Sequence, residues 1–280
     1  MEELRIRAYG LELKVSGEAN TVKGASKDFY DFLAARIGRD TEAIRRLREK
    51  MMSGQEEAKK PTEGKEATCT FRSAAGVPAA WSEIAKEIKS GKEYHVGDAV
   101  DDVLENGEEV TFVVTEVTDQ YVRFESRDCV GSEGVSWNKN DSNKGGIAEA
   151  NVQKYLDTKI WELLPEDLRA AISDTSRKYL DGGEEKEYVT KLFLPAASEV
   201  FDEDDCYGDE GLYEQLEYYK DRRNRMRSAA QEEDVVWYWL ASVRSGISAD
   251  ACGVSRYGFA NTWSTSYLNR VPVCFTIKKS

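Results

Sequence analysis

Apolar residues recur with two different periods near the N-terminus, and the change of period predicts two kinds of element. In "LRIRAYGLELKVSGEANTV" apolar and polar residues alternate on both sides of Gly10, which is typical of paired strands. From Ser26 the spacing becomes helical, and Gly38 is expected to break the helix. The apolar positions of this helical region are Phe29, Phe32, Leu33, Ile37, Ile44, Leu47 and Met51. A β-hairpin followed by helix is therefore expected.

A polar stretch without apolar periodicity follows the helical region. It is "SGQEEAKKPTEGKEA", residues 53–67, with one proline and two glycines, a composition typical of a linker. We therefore divide the chain near residue 65. The N-terminal hairpin-and-helix module with its linker is residues 1–65, and the main domain is residues 66–280.

The main domain mixes helical and strand patterns. "PAAWSEIAKEIKSGK" has helical spacing and ends at Gly91, and "GEEVTFVVTEVTDQYVRFESRDCV" is rich in β-branched residues, with a hairpin turn predicted at Thr118–Asp119. "NVQKYLDTKIWELLPEDLRAAISDTSRKYL" predicts two helices that meet near Pro165. "KLFLPAASEVF" predicts a short strand, "GLYEQLEYYKDRRNRM" a helix and "VPVCFTI" a final strand. The fold class predicted is α+β.

Composition limits the classes of function. The formal net charge of −13 argues against a broad nucleic-acid surface, because such surfaces need clustered Lys and Arg. The best basic run, Asp221–Ser228, is interpreted as a solvated helix face. No apolar run is long enough to span a membrane, and "MEELRIRAYG" has no signal-peptide pattern. We expect no membrane insertion and a cytoplasmic or virion-associated protein.

Residues that usually carry enzyme chemistry are sparse. His95 is the only histidine, and we interpret it as an ordinary surface or half-buried residue. The acidic run at Phe201–Gly211 lacks the spacing of a calcium loop, so we interpret it as a solvated loop, with weak cation binding as the alternative. The five cysteines have no C-x-x-C spacing, so neither a disulfide framework nor a zinc site is indicated. We predict no cofactor and no metal site.

The C-terminal tail has an unusual composition. Residues 235–277 contain no Lys, Glu, Gln or Met and are rich in Ser, Gly, Asn, Arg, Tyr and Trp. Aromatic residues and Arg supply contact area and directional hydrogen bonds, and small polar residues let loops adapt, so recognition surfaces share this composition. Buried strands joined by tight turns would exclude long charged side chains as well, and this alternative stays open.

The order of motifs in the tail resembles a known family. "KLFLPAASEVF", "WYWLASV", "GVSRYGFAN" and "RVPVCFTI" follow one another, preceded by "GGIAEANVQKYLDTKIWELLPEDLRAAI". This order is similar to that in a family of uncharacterised proteins of gut Firmicutes and their prophages, from about His95 to Ile277. That family is similar to the C-type-lectin-like fold, in the branch of formylglycine-generating enzymes and of variable proteins of diversity-generating retroelements.

The resemblance implies where a site would be. Trp237 and Trp239 would anchor the core face of a strand, Tyr238 would point to the other face, and the following loops would bind ligand. The ligand-binding residues implied are Arg244, Ser248, Asp250, Ser255, Arg256, Tyr257, Phe259, Asn261, Trp263, Ser264, Tyr267 and Asn269. The calcium-binding motifs of true C-type lectins do not occur in this sequence. Adenine-directed mutagenesis of Asn codons never yields Lys, Glu, Gln or Met, and the tail obeys that exclusion.

Three functions from different classes follow. The first is a non-enzymatic recognition protein of phage or prophage origin that binds a protein or glycan on another surface. The second is an oxidase of the formylglycine-generating type that uses Cys252 and Cys274, which requires a reactive thiol near the surface. The third is a structural virion or scaffold protein that forms homo-oligomers through the N-terminal hairpin.

Overall fold

The computed structural model describes residues 2–8, 11–17, 80–202, 211–229, 234–244 and 246–280. The chain divides into two compact units, Met1–Glu66 and Ala67–Ser280. The helix predicted between Ser26 and Met51 and the linker at residues 53–67 lie outside the described residues. Most of the acidic run lies outside them as well.

The first unit contains the predicted hairpin. Strand β1 (Glu2–Ala8) pairs with β2 (Leu11–Gly17) in antiparallel register, with Leu4 opposite Val15. The alternation of apolar and polar residues around Gly10 therefore identified two paired strands correctly.

The helices of the second unit are short. They are α1 (Trp81–Lys89), α2 (Gly146–Glu149), α3 (Asn151–Tyr155), a π-helical turn (Leu156–Ile160), α4 (Trp161–Leu163), α5 (Glu166–Ala171), α6 (Ala197–Val200), α7 (Glu217–Lys220) and a 3₁₀-helix (Arg222–Arg225). Pro165 separates α4 from α5, because it lacks the N–H that a continuing helix requires. The predicted joint between two helices is thus confirmed.

A four-stranded antiparallel sheet forms one side of the second unit. Its order is β15 (Cys274–Lys278), β5 (Tyr121–Ser126), β4 (Glu109–Val117) and β3 (Ala99–Val103). The hairpin predicted at Thr118–Asp119 joins β4 to β5, and the predicted strand "VPVCFTI" supplies β15. The indole of Trp81 lies edge-on to three phenylalanine rings of this sheet, Phe112, Phe124 and Phe275, at 5.4–5.6 Å.

The other strands form smaller antiparallel sheets. They are β6 (Val135–Ser136) with β14 (Leu268–Asn269), β7 (Thr175–Asp181) with β8 (Glu184–Thr190), β9 (Arg227–Ser228) with β10 (Val235–Val236), and a three-stranded sheet of β11 (Tyr238–Val243), β12 (Asp250–Val254) and β13 (Ala260–Ser264). The described residues therefore have the predicted α+β class, with mostly antiparallel strands.

Two apolar cores lie in the second unit. The main core joins the four-stranded sheet to α1, to the helices between Asn151 and Ala171 and to one face of β11. The second core lies on the other face of β11. It consists of Cys129, Ala197, Val200, Phe201, Tyr219, Tyr238, Leu240, Cys252 and Val254. Strand β11 is consequently buried on both faces.

Three sequence predictions differ from the structure. "KLFLPAASEVF" does not form a regular strand: Phe193 makes one isolated bridge to Cys274 before α6 begins. The helix predicted from "GLYEQLEYYKDRRNRM" is reduced to α7 and the 3₁₀-helix: α7 ends at Lys220, and the extended Asp221 accepts from the Arg223 N–H and begins the 3₁₀-helix. The hairpin of β7 and β8 was missed. Its signal was the pair Gly182–Gly183, both of which have positive φ.

Candidate functional site

Strand β11 directs consecutive side chains to opposite cores. Trp239 is fully buried in the main core, and its indole N–H donates to the Val135 carbonyl at 2.8 Å. Tyr238 is fully buried in the second core, and its hydroxyl donates to the Arg225 carbonyl at 2.9 Å. This is the alternation that a strand imposes. Trp237 precedes β11 and is only half-buried, so it is not the core anchor that the sequence predicted.

Trp263 covers a glycine on the neighbouring strand. Its ring lies against Gly253, where an added Cβ would come within 2.6 Å of the indole. Its centroid is 5.9 Å from that of Trp239 and 4.7 Å from that of Trp237, with the ring planes at 75° in both pairs. The half-buried Trp263 therefore connects the main core to a partly exposed indole.

Arg256 lies beside these rings at the protein surface. Its guanidinium carbon is 6.0 Å from the ring centroids of both Trp237 and Tyr257. Asn261 lies on the same face of β13 as Trp263, two residues away. Arg256 is exposed, and the other four residues are half-buried. We name this set of Trp237, Arg256, Tyr257, Asn261 and Trp263 the aromatic rim.

The turn between β12 and β13 fixes the position of Arg256 and Tyr257. The Ser255 N–H donates to the Phe259 carbonyl at 2.9 Å, and the Gly258 N–H donates to the Ser255 carbonyl at 2.8 Å. Gly258 has a φ of +75°, a conformation that favours glycine. The Ser255 side chain is buried and accepts from the Phe259 N–H, so this predicted binding residue has a structural role.

Phe259, another predicted binding residue, is also engaged within the fold. The guanidinium carbon of Arg222 lies 4.8 Å from the centroid of the Phe259 ring. A Cβ added at Gly258 would meet the Arg222 side chain and backbone at 3.0 Å. The turn is thus packed against the 3₁₀-helix, which holds the rim residues on a fixed support.

A second group of predicted residues lies at the opposite end of β12. Arg244 contacts the Asp250 carboxylate and the Thr262 hydroxyl, both at 3.3 Å. Ser264 donates to Asp141, and the exposed Ser248 accepts a backbone hydrogen bond at its carbonyl. Asp250 lies opposite Ser264, and the side chains of Thr262 and Ser264 alternate with those of Asn261 and Trp263 along β13, so this group lies on the other face of the sheet. They do not join the aromatic rim.

Tyr267 and Asn269 form a third group. Tyr267 is 60% exposed just before β14. Asn269 lies on β14 opposite Val135, and its buried Nδ2 atom has no hydrogen-bond acceptor among the described residues. The twelve predicted residues therefore separate into three places, because the register of β11–β14 fixes which loop ends meet. Trp237 was missing from the prediction, since its spacing from Trp239 assigned it to the core.

The basic run Asp221–Ser228 is not the solvated helix face that the sequence predicted. Arg227 is fully buried and donates to the Glu125 carboxylate, the Tyr219 hydroxyl and the Arg127 carbonyl. Arg225 donates to the Tyr219 carbonyl at 2.8 Å. Arg225 and Arg227 are thus bonded within the fold, whereas Arg223 is exposed and pairs with Asp221 at the surface.

Arg227 ends a buried series of charges, which we name the ion chain: Arg177, Glu199, Arg123, Glu125 and Arg227. Glu199 joins Arg177 and Arg123, each through a shortest N–O distance of 2.6 Å. Burial alone would raise the pKa of Glu199, but the two guanidiniums outweigh burial and lower this pKa to about 2. Glu199 therefore stays ionised inside the protein.

The cysteines do not offer an accessible thiol in the described part of the chain. Cys129, Cys252 and Cys274 are all buried. Burial raises the pKa of Cys129 to about 12 and raises the pKa of Cys274 well above its ordinary value. Cys252 and Cys274 lie on strands of different sheets. This arrangement gives no support to an oxidase that needs two reactive cysteines.

His95, the single histidine, is exposed beside Asp98, with 3.8 Å between Nδ1 and the carboxylate. Within the described ranges, no group of three or more His, Cys, Asp or Glu side chains is arranged to hold a metal ion. None of the helices that the structure describes combines the length and apolar character needed to cross a bilayer.

Comparisons with known proteins place the chain in a family. No curated protein and no solved structure matches it. A family model described as a domain of unknown function, DUF6273, matches residues 108–279, more than half of the chain. The matched part includes the ion chain, both faces of β11 and the complete aromatic rim. The chain belongs to the DUF6273 family.

Proposed function

We propose that this protein recognises a protein or glycan ligand on another surface through the aromatic rim. One observation carries the proposal: two half-buried indoles, a tyrosine and an exposed arginine lie together on a packed support. Aromatic rings and Arg contribute most of the binding energy at many interfaces. The rim also loses little conformational freedom on binding, because the core and the turn already hold it.

The proposal includes a C-type-lectin-like fold and a phage or prophage origin. The resemblance of the tail motifs supports both, as does the position of the rim after the W-x-W-L strand. A further part of the proposal is that the protein is the variable protein of a diversity-generating retroelement. The absence of Lys, Glu, Gln and Met from residues 235–277 supports that part.

Ligand capture by single variants tests recognition at the rim. The purified full chain is applied to arrays of surface proteins and glycans, and the captured ligand is measured again with Trp237→Leu and Tyr257→Ala. Both variants should lose capture by at least tenfold while their melting temperatures stay close to the wild-type value. Trp161→Leu is the matched control, because Trp161 is also half-buried but lies on α4. Unchanged capture by both rim variants would contradict the proposal.

The retroelement part has a separate test in the surrounding DNA. A near-repeat of the 3′ end of the gene, differing only at adenines and adjacent to a reverse-transcriptase gene, is the expected finding. Its absence would remove the diversification mechanism and leave recognition by the rim intact.

A further inference from the structure

The aromatic rim offers hydrogen-bond donors that no described residue accepts from. The indole N–H groups of Trp81, Trp137 and Trp239 each donate to a protein oxygen at 2.7–3.0 Å. In the described part of the chain, those of Trp237 and Trp263 donate to no protein acceptor. Because these two side chains are only half-buried, their donors remain accessible to a ligand.

Arg256 and Asn261 add to the same set of donors. Arg256 forms no ion pair or hydrogen bond with any described residue, whereas Arg244, on the same sheet, is paired with Asp250. The Asn261 Oδ1 atom accepts from the Thr262 N–H at 2.8 Å, and its Nδ2 group donates to none of the residues that the structure describes. The rim therefore presents a guanidinium, two indole N–H groups and an amide NH₂.

These donor groups favour a ligand that is negatively charged and accepts hydrogen bonds. A carboxylate has only acceptors, and it forms its strongest hydrogen bonds with a guanidinium. The guanidinium carbon of Arg256 lies 6.0 Å from the Trp237 centroid, at the outer limit of a cation–π contact. The ring is therefore not tightly covered, and a ligand can contact the indole and Arg256 together.

The geometry of the rings also favours a ligand with a flat apolar face. The planes of Trp237 and Trp263 meet at 75° and form a corner. A sugar ring presents one face of C–H groups that packs on an indole, and a carboxyl substituent of that ring lies within one bond of it. An acidic peptide carries its carboxylates on flexible chains and has no such face beside them.

We propose that the aromatic rim binds a carboxylate-bearing sugar of an acidic polysaccharide, an inference that rests on the proposed function. The sugar ring packs on Trp237 in the corner completed by Trp263. Its carboxylate pairs with Arg256, and its hydroxyl oxygens accept from the indole N–H groups and from Asn261. Arg256 therefore determines the preference for a carboxylate, and Trp237 supplies affinity for the sugar ring.

A matched pair of sugars tests this assignment. The full chain is titrated calorimetrically with a tetrasaccharide that contains glucuronate and with the same tetrasaccharide after each carboxyl group is reduced to a hydroxymethyl group. Wild-type protein should bind the acidic form at least tenfold more tightly. Arg256→Gln should bind the two forms about equally, and Trp237→Leu should weaken binding of both.

Two variants serve as controls. Arg169→Gln removes a half-buried arginine of α5, and Trp161→Leu removes a half-buried indole of α4. Both should retain the wild-type preference for the acidic tetrasaccharide.

The outcomes separate this inference from the proposed function. Equal binding of the two tetrasaccharides by wild type, or no binding of either, overturns the assignment to an acidic sugar. If Trp237→Leu still loses capture of another array ligand, recognition by the rim stands without it. A third outcome also overturns the inference: the protein binds a Glu-rich peptide, loses that binding in Arg256→Gln, and does not distinguish the glucuronate tetrasaccharide from its reduced form. The rim would then be assigned to acidic peptides.

Discussion

The ion chain and the aromatic rim both place arginine against aromatic rings, and they do so with opposite consequences. In the ion chain, the guanidinium carbon of Arg177 lies 4.6 Å from the centroid of Phe193, and this arginine is buried and bonded to Glu199. In the rim, Arg256 lies 6.0 Å from the centroid of Trp237, exposed and without a carboxylate partner in the described structure. The aromatic contact is shared, and the surroundings of the charge differ.

The comparison shows that a buried arginine needs a carboxylate partner and an exposed arginine does not. Removing a guanidinium from water is costly unless a carboxylate and hydrogen bonds replace the water. Glu199 and Glu125 perform that task for three buried arginines. Arg256 keeps its water, so it needs no internal partner and can exchange water for a ligand. The ion chain should therefore control stability, and the rim should control binding.

The largest effect should come from Glu199→Ala, which leaves Arg123 and Arg177 buried without their shared carboxylate. Its free energy of unfolding should fall by about 3–5 kcal/mol, measured by urea denaturation. The matched control is Glu83→Ala, which breaks an exposed ion pair with Lys86 and should cost less than about 0.5 kcal/mol. If the free energy of unfolding fell by similar amounts in the two variants, burial would not make Glu199 more important for stability than Glu83.

Acid should weaken the ion chain through the same residue. The pKa of Glu199 is lowered to about 2 in the folded protein from 4.5, so its contribution to stability is present above pH 4.5 and is lost as the pH falls toward 2. Melting temperatures measured from pH 5 to pH 2.5 should fall more steeply in wild type than in Glu199→Gln, which has no carboxylate to protonate at this position. Parallel slopes would exclude Glu199 as a major source of the acid sensitivity.

Trp263 should give an intermediate effect, because it belongs partly to the core and partly to the rim. Trp239→Ala should destabilise the protein by about 3–5 kcal/mol, the usual cost for a buried tryptophan, and Trp263→Ala by roughly half as much. Trp237→Ala should cost less than either. Thermal or urea denaturation of the three variants measures this order, and a smaller loss for Trp239→Ala than for Trp237→Ala would reverse our assignment of β11.

The smallest effect on stability should come from Arg256→Gln. Because the Arg256 side chain is exposed and forms no ion pair with a described residue, the free energy of unfolding of this variant should stay within about 0.5 kcal/mol of the wild-type value. Its urea midpoint and slope should both be unchanged. A loss as large as that of Glu199→Ala would place Arg256 among the structural arginines and would remove the contrast between the two regions.

Periodicity predicted the elements whose stabilising contacts are local. The β1–β2 hairpin, the β4–β5 hairpin and the joint at Pro165 follow from alternation, turn residues and the missing N–H of proline. The ion chain left no such signal. Arg123 interrupts an apolar strand, and Arg227 lies in a basic run; their partners Glu199 and Glu125 are distant along the chain. Pairs of this kind depend on how the elements pack.

The sequence predicted most of the residues of the candidate site but not which of them lie together. The tail pattern identified Arg256, Tyr257, Asn261 and Trp263, which the rim contains. It could not separate them from Arg244 or Tyr267, because the strand register that places these residues apart is not visible in composition. It also included Ser255, whose hydroxyl is used within its own turn.

Asn261 has a consequence for assembly. Strand β13 is an outer strand of its sheet, and exposed strand edges invite pairing with other chains. The side chain of Asn261 occupies the Thr262 N–H and so occupies one of the backbone donors to which an incoming strand would bond. A residue at this position that could not accept a hydrogen bond would expose that donor, so replacing Asn261 with an apolar residue would leave this strand edge more open to pairing with another chain.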